Sequence, residues 1–543
     1  MVSVEDSINQ RLLLALQQHG QRPALFEHGE VYTYDWLNGA VASAALKLCQ
    51  LGVVKGDRIA YQLRNTREAV VIMLSSLMLG AIPVPILPSY REKELRHILH
   101  LTAPKVFALQ RGSRRYNPLA ALQTLLAEGL NIDVILVEDY DDAGHDTRYL
   151  NLQHFCSPLT PAPPLHAATM TPSDTAATMT PSDTAVMLLS SGTTGLPKAI
   201  ARKNGGYSYM IECGCDVFAL DSHSVYFAAM PVSHGFVINC PGILGTLSRG
   251  GAVALADAPS AETALDVIEQ CGVTHTTLVP ALLSQWSELQ RQTPRDLTSL
   301  WHVQVGGARV TPELAASASR NLGITLQQCY GMSEGLLCFN SIDDDDTLRF
   351  SSQGRPLSPH DEVLIVDEND RPLPVGKSGE LITRGPYTLT EYYQNPQANR
   401  SAFTADGFYR TGDLAHVDAA GNIFIDGRVN DSINRGGEKF SPNEIEELAE
   451  QHPAVVRAAC VGMPDDLYGE VPCLFVTSTD TTLTLSALRR FFEKEGLAAF
   501  KAPERLIVID TIPMKGIGKI DRVTLRDMLR QEQTVKNTAG LNS

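Results

Sequence analysis

Between residues 252 and 330, short uncharged runs alternate with longer stretches in which apolar side chains recur three and four apart. The runs Ala252–Ala256, His275–Val279, His302–Val305 and Thr325–Cys329 read as strands. The stretches Ala261–Cys271, Ala281–Arg291 and Pro312–Leu322 read as helices. This alternation predicts an α/β fold with parallel-rich sheets covered by helices. Upstream lie a strand at Gly56–Leu63, a helix at Arg67–Leu79 and a buried strand at Ala185–Leu189. The character changes at Asp426–Asn430. A smaller α+β pattern follows, with strands Val455–Gly462 and Val471–Ser478, helix Ser486–Glu495 and strand Leu506–Asp510. A chain of 543 residues exceeds one ordinary core. The expectation is a large N-terminal domain over 1–428, a small mobile C-terminal domain over 429–533 and a polar, frayed tail over 534–543.

Composition narrows the partners. The hydrophobic share of 44% and charged share of 20% are those of a soluble globular protein. A net charge of −16, without basic runs, argues against nucleic acid or an anionic membrane as the main partner. The uncharged run Ala69–Leu87 is interrupted by Ser75, Ser76, Gly80, Pro83 and Pro85, so it reads as a core helix and a buried strand rather than a membrane span. Glu5 and Asp6 occupy the place of a basic signal-peptide segment, and no secretion signal is expected. Ten cysteines without a C-x-x-C pair, Cys213 and Cys215 included, predict reduced thiols and a cytoplasmic protein. Ala168–Ala176 recurs unchanged as Ala177–Ala185, a tandem duplication in a polar loop to which no function is assigned.

The candidate chemistry begins at Ser190–Lys198, which follows the Ala185–Leu189 strand. Glycines admit close approach to a ligand, hydroxyls and N–H groups donate to anionic oxygens, and Lys198 adds a charge. The segment reads as a phosphate-holding loop, with a polar surface turn as the plainer alternative. It is not a Walker A loop, because Pro197 precedes the lysine. Gly306–Arg309 and Tyr330–Glu334 likewise follow strands, where ligands collect in parallel sheets.

These segments, with Tyr409-Arg410-Thr411-Gly412-Asp413, Asp426-Gly427-Arg428 and Gly516-Ile517-Gly518-Lys519, resemble the adenylate-forming superfamily. Asn239-Cys240-Pro241-Gly242, Gln327–Phe339, Ser352–Pro359 and Ile433–Lys439 resemble its stand-alone aryl-acid–AMP ligases of siderophore pathways, the salicylate and 2,3-dihydroxybenzoate types. The resemblance implies two half-reactions: a carboxylate attacks the α-phosphate of ATP, then a phosphopantetheine thiol takes the acyl group. It implies ATP and Mg²⁺, an aryl acid as substrate, and an aryl carrier protein or coenzyme A as acceptor.

By the same resemblance, Lys519 bridges carboxylate, ribose and α-phosphate, and Lys198 contacts the pyrophosphate side. Ser191, Gly192, Thr193 and Thr194 hold phosphate. Asp413 and Arg428 hold the ribose and phosphates, and Glu334 with Thr194 holds Mg²⁺. Gly306, Gly307 and Ala308, with Tyr330 and Gly331, form the adenine slot. Gly436 and Gly437 replace Lys519 at the site for the second half-reaction, with a hinge near Asn430, where the family usually has Asp or Lys. His234 gates the acyl carboxylate, and Gly235, Phe236, Cys240, Gly306, Cys329, Met332 and Leu337 line the acid pocket.

The aryl-acid ligases typically carry asparagine where this chain has Gly235. Loss of that amide predicts weaker dependence on a 2-hydroxyl and tolerance of bulkier or 2-amino acids, while Cys240 and Leu337 resemble the salicylate type. An aryl-CoA ligase is the nearest alternative. A non-catalytic ligand-binding scaffold and a luciferase-like oxygenase are alternatives of other classes.

Overall fold

A computed structural model describes residues 7–112, 116–141, 146–163, 179–191, 196–257, 259–308, 310–367, 369–429, 433–440, 442–480, 482–515 and 519–540. The largest sheet is parallel in its middle, where Thr325–Gly331, His302–Val305, His275–Leu278, Val225–Ala228, Ala252–Leu255 and Pro23–Glu27 lie side by side. Leu337–Phe339 adds to Thr325–Gly331 antiparallel. Two of the covering helices owe their bounds to local chemistry. Ala261–Cys271 starts where the Ser260 hydroxyl accepts from Thr263 N at 3.2 Å, and it ends at Gly272, whose φ is +61°. Pro312–Leu322 repeats the device with Thr311 and Gly323.

A second, parallel sheet runs in the order Ile82–Pro85, Arg58–Gln62, Val106–Leu109, Val134–Val137 and Tyr149–Asn151. Helices Tyr34–Gln50, Arg67–Met78 and Asn204–Val217 share one core with both sheets, packing with Ile59 and Val106 of one and Tyr226 and Val253 of the other. Arg67–Met78 is buried from Glu68 onward, which accounts for its uncharged sequence. Among the described residues no helix is long and apolar enough to cross a membrane.

Two expectations are corrected. Ser190–Lys198 does not follow a parallel strand. It belongs to an antiparallel hairpin of Thr184–Ser191 and Pro197–Lys203 in which Ser190 faces Lys198. Apolar runs alone do not distinguish the two arrangements, but a connection this short joins antiparallel strands. The expected frayed tail is instead helical as far as Gly540, continuing a helix from Arg522. Of the tandem repeat, residues 179–185 of the second copy are built into the fold, where Asp183 pairs with Lys55 at 2.8 Å and Met179 is buried. The first copy lies outside the described residues.

An antiparallel sheet of Glu362–Val366, Gly379–Arg384, Tyr409–Val417 and Ile423–Arg428 completes the large domain. Ile433–Arg435 already belongs to the small domain's sheet, so the chain passes from one domain to the other between 428 and 433. That sheet buries Ile433, Phe440 and Leu488 on one face and Val461, Phe475 and Leu525 on the other. The domains meet through a buried ion cluster in which Lys501 Nζ lies 3.0 Å from both Glu94 and Glu444.

Candidate active site

The residues expected to hold the nucleotide lie at adjacent strand ends. Tyr330, near the end of Thr325–Gly331, donates its hydroxyl hydrogen to Asp413 Oδ2 at 2.6 Å. Asp413 is 3% exposed, and its backbone N–H donates to Thr411 Oγ1. Arg428 stands opposite Asp413 in the strand register. Gly306, Gly307 and Ala308 follow the neighbouring strand, His302–Val305. A Cβ on Gly306 would come within 2.7 Å of Cys329 O, so only glycine allows these strand ends to approach so closely.

The hairpin brings the phosphate-side groups together. Glu334 Oε1 accepts from Ser190 Oγ at 2.8 Å and from the Tyr392 hydroxyl at 2.9 Å. The Tyr392 and Tyr409 hydroxyls are themselves hydrogen-bonded at 2.9 Å. Lys198 Nζ stands 4.2 Å from the centre of the Tyr392 ring. Burial pushes the Lys198 ammonium below its usual range, and the Glu334 charge opposes that shift. Arg202 donates to the carbonyls of Ser333 and Tyr387, pinning the turn that carries Glu334. Among the described residues both hydrogen bonds to Glu334 fall on Oε1, and its Oε2 could take a hard cation such as Mg²⁺, an ion commonly held by one carboxylate and substrate phosphates.

The residues expected to line an acid pocket are mostly apolar. Phe236, Cys240, Cys329 and Leu337 are buried in one cluster with Leu188, and Met332 packs against it. Gly331 carries no side chain where Leu337 presses closest. Burial pushes the Cys240 thiol up to about 12 and the Cys329 thiol well above its ordinary value, so both are protonated lining rather than nucleophiles. His234 Nδ1 accepts from Phe236 N at 3.2 Å, which puts the ring proton on Nε2. Burial lowers this imidazole to about 4, so it is neutral at pH 7.

At the domain boundary, Gly437 meets Gly307 through backbone, and a Cβ on Gly307 would lie 3.1 Å from Gly437 Cα. Asn434 Nδ2 donates to Gly307 O at 2.9 Å, and Gly436, of φ +58°, shares the turn. The hairpin of Met514–Lys515 and Lys519–Ile520 lies with the small domain, where Ile520 packs beside Val461 and Leu525. In this conformation the 436–437 turn faces the nucleotide side. Gly192, Thr193, Thr194 and Asn430 lie outside the described residues, as do the side chains of Ser191, Arg428 and Lys519.

Sequence reasoning missed several partners. Tyr392 carries no local signal, since its contact with Glu334 spans 58 residues. Arg202 is buried in the strand Pro197–Lys203, where Lys198 and Lys203 are charged too, so the sequence alone does not single it out. Asn239 is 3% exposed and ends the short helix Gly235–Asn239 beside the pocket.

The AMP-binding enzyme family matches residues 14–393, and the AMP-binding enzyme C-terminal domain matches 444–519. The chain is 39% identical to a 2-hydroxy-7-methoxy-5-methyl-1-naphthoate–CoA ligase of Streptomyces carzinostaticus, over 91% of this chain and 88% of that protein. It is 38% identical to a salicylyl-CoA synthase / salicylate adenylyltransferase of a Streptomyces species, over 95% and 92%. The apo structure of Mycobacterium smegmatis MbtA superimposes with a TM-score of 0.71 at 34% identity, covering 96% of this chain and 95% of that one. The chain belongs to the AMP-binding enzyme family.

Proposed function

We propose that this protein is a cytoplasmic ligase that activates a salicylate-like aryl or heteroaryl acid with ATP and passes it to the phosphopantetheine thiol of an aryl carrier protein, as in siderophore assembly. The observation that carries the reading is that Phe236, Cys240, Cys329 and Leu337 are buried in one apolar cluster, and that Cys329 adjoins in sequence the Tyr330 that donates to Asp413. An aromatic ring gains by burial there, and its carboxylate needs no general base because it is ionised at neutral pH. A carboxylate oxygen forms the new bond to the α-phosphorus as the bond to the bridging oxygen breaks, and pyrophosphate leaves. The thiolate then attacks the carbonyl and displaces AMP.

The difficulty of the first step is bringing anions together, so positive charge and fixed donors carry it. Lys198 and Lys519 supply charge, Asp413 and Arg428 hold ribose, and neutral His234 offers an uncharged donor from Nε2 that does not compete for the acid's proton. Mg²⁺ held at Glu334 would screen the phosphate charges. The two relatives' names support the acid class, since each names an acid with a hydroxyl beside its carboxylate. They also favour coenzyme A as a second acceptor, because both are named for CoA products.

Mass spectrometry after incubation with ATP, Mg²⁺ and salicylate should show the mixed anhydride of salicylate and AMP. Detection of an adenylate only with aliphatic acids would refute the aryl reading. Supplying carrier protein and coenzyme A in parallel separates the acceptors by which one is acylated faster.

A further inference from the structure

The hollow at Gly235 is not apolar throughout. A Cβ there would meet Leu188 Cδ1 at 3.6 Å, Asn239 Oδ1 at 3.7 Å and Ser333 Oγ at 3.7 Å, so a side chain's worth of room is bordered by an amide and a hydroxyl. The amide is the buried one. Asn239 is 3% exposed, and its Oδ1 has no hydrogen-bond partner among the described residues. Its Nδ2 reaches only Cys240 Sγ, at 3.5 Å, and sulfur is a weak acceptor. A buried amide oxygen without a partner is costly, and native proteins seldom keep one without a use.

We propose that Asn239 is a specificity-determining residue whose carboxamide hydrogen-bonds a hydroxyl or amino group on the ring carbon beside the acid's carboxylate. This rests on the aryl-acid reading above. Gly235 and Asn239 stand one helical turn apart, so a glycine at the first position clears the space into which the asparagine's amide points. Oδ1 accepts from the substituent, and its unpaired state ends when the acid binds. Exchanging the amide's two ends would turn a donor toward the hollow, so the hollow meets a polar group in either assignment. The surrounding Leu188, Phe236 and Leu337 exclude water and raise the worth of that one bond.

The pocket therefore retains a dependence on the neighbouring hydroxyl that Gly235 alone argues against. It also differs in reach: an amide set back by one turn leaves room for a second fused ring or a larger substituent.

The test compares kcat/KM for salicylate, anthranilate and unsubstituted benzoate in ATP–pyrophosphate exchange, for the parent, Asn239→Leu and Asn239→Ser. Leucine keeps the shape without the hydrogen bond, and serine guards against a folding failure of the leucine variant. The preference for salicylate over benzoate should exceed tenfold in the parent and fall by about tenfold or more in both variants, mainly through KM. A parent without preference, or variants that lose both acids equally and keep the ratio, would overturn the assignment of Asn239 alone. A parent driven by aliphatic acids and by no aryl acid would overturn the aryl reading and this assignment with it.

Discussion

Asn434 of the small domain donates its amide hydrogen to the backbone carbonyl of Gly307 in the large domain, 2.9 Å away. That bond sets the 436–437 turn against the nucleotide side, with Gly437 at φ +94° and Gly469 beside Ala308. Gly307 and Gly437 meet through backbone, and a Cβ on Gly307 would lie 3.1 Å from Gly437 Cα.

Gly437→Ala adds a Cβ in ordinary contact with Gly307 Cα, at 3.5 Å, but at φ +94°, a region costly for L-residues by about 1–2 kcal/mol. If this turn serves the second half-reaction, the variant should keep pyrophosphate exchange within about twofold and slow thioester formation about tenfold or more. Equal losses in both assays would show that the turn serves both steps.

Tyr330→Phe removes the donor that holds Asp413 at 2.6 Å. A hydrogen bond to a charged acceptor is worth about 1.5–3 kcal/mol, so the KM for ATP should rise roughly 10- to 100-fold. The KM for the acid should move far less. A rise confined to the acid would place Tyr330 at the wrong end of the site.

Helix bounds were legible where the chain punctuates itself. Ser260 and Gly272, or Thr311 and Gly323, mark both ends of their helices, and the apolar spacing between them agrees. The pocket residues Phe236, Cys240, Cys329 and Leu337 were legible only through family motifs, since nothing local distinguishes them from other core residues. Tyr392 and Asn434 were illegible because their partners, Glu334 and Gly307, are distant in sequence. The substitution at Gly235 was visible, but not its consequence, because the direction of the Asn239 amide depends on the turn between them.

Lys501 is 3% exposed between Glu94 and Glu444, which are 1% and 3% exposed. Lys501→Ala takes the buried cation from Glu94 and leaves Glu444 with the half-exposed Lys93, 3.2 Å away, a loss of about 3 kcal/mol from docking or folding. Limited proteolysis between the domains should accelerate and thioester formation should fall. Burial raises Glu438, which lies within electrostatic reach of Lys501 and Tyr90, to about 7, with Lys501 opposing. A raised carboxyl favours the docked form most below its free value near 4.5 and loses that contribution as pH rises through 7. Docking should therefore weaken between about pH 4.5 and 7 and level off above that, and Glu438→Gln should flatten the profile. An unchanged profile would exclude Glu438 as its source.

Burial lowers His302 to about 3, with His275 beside it adding to the shift, and lowers His275 to about 4. Their unfolded values lie near 6.5, so the unfolded chain binds protons that the folded chain refuses. Stability is present above that value and is lost as pH falls toward 4. Asp361, raised to about 6 by burial, runs the other way and softens the slope. His302→Phe sits among Phe218 and Trp301, whose ring centres lie 4.8 and 4.9 Å away, and removes one titrating ring. Relative to the parent, it should gain about 1–2 kcal/mol more at pH 5 than at pH 7.5 in urea unfolding. An equal effect at both values would mean His302 already titrates normally.

The most direct measurement is ATP–pyrophosphate exchange over a panel of benzoate, salicylate, 2,3-dihydroxybenzoate, anthranilate, naphthoates and aliphatic acids, with Lys519→Ala beside the parent. We expect exchange driven by aryl acids that carry a hydroxyl or amine beside the carboxylate, weak exchange with aliphatic acids, and a loss of about 100-fold or more in Lys519→Ala. Exchange driven by aliphatic acids alone, or none with any acid, would contradict aryl-acid adenylation at this site.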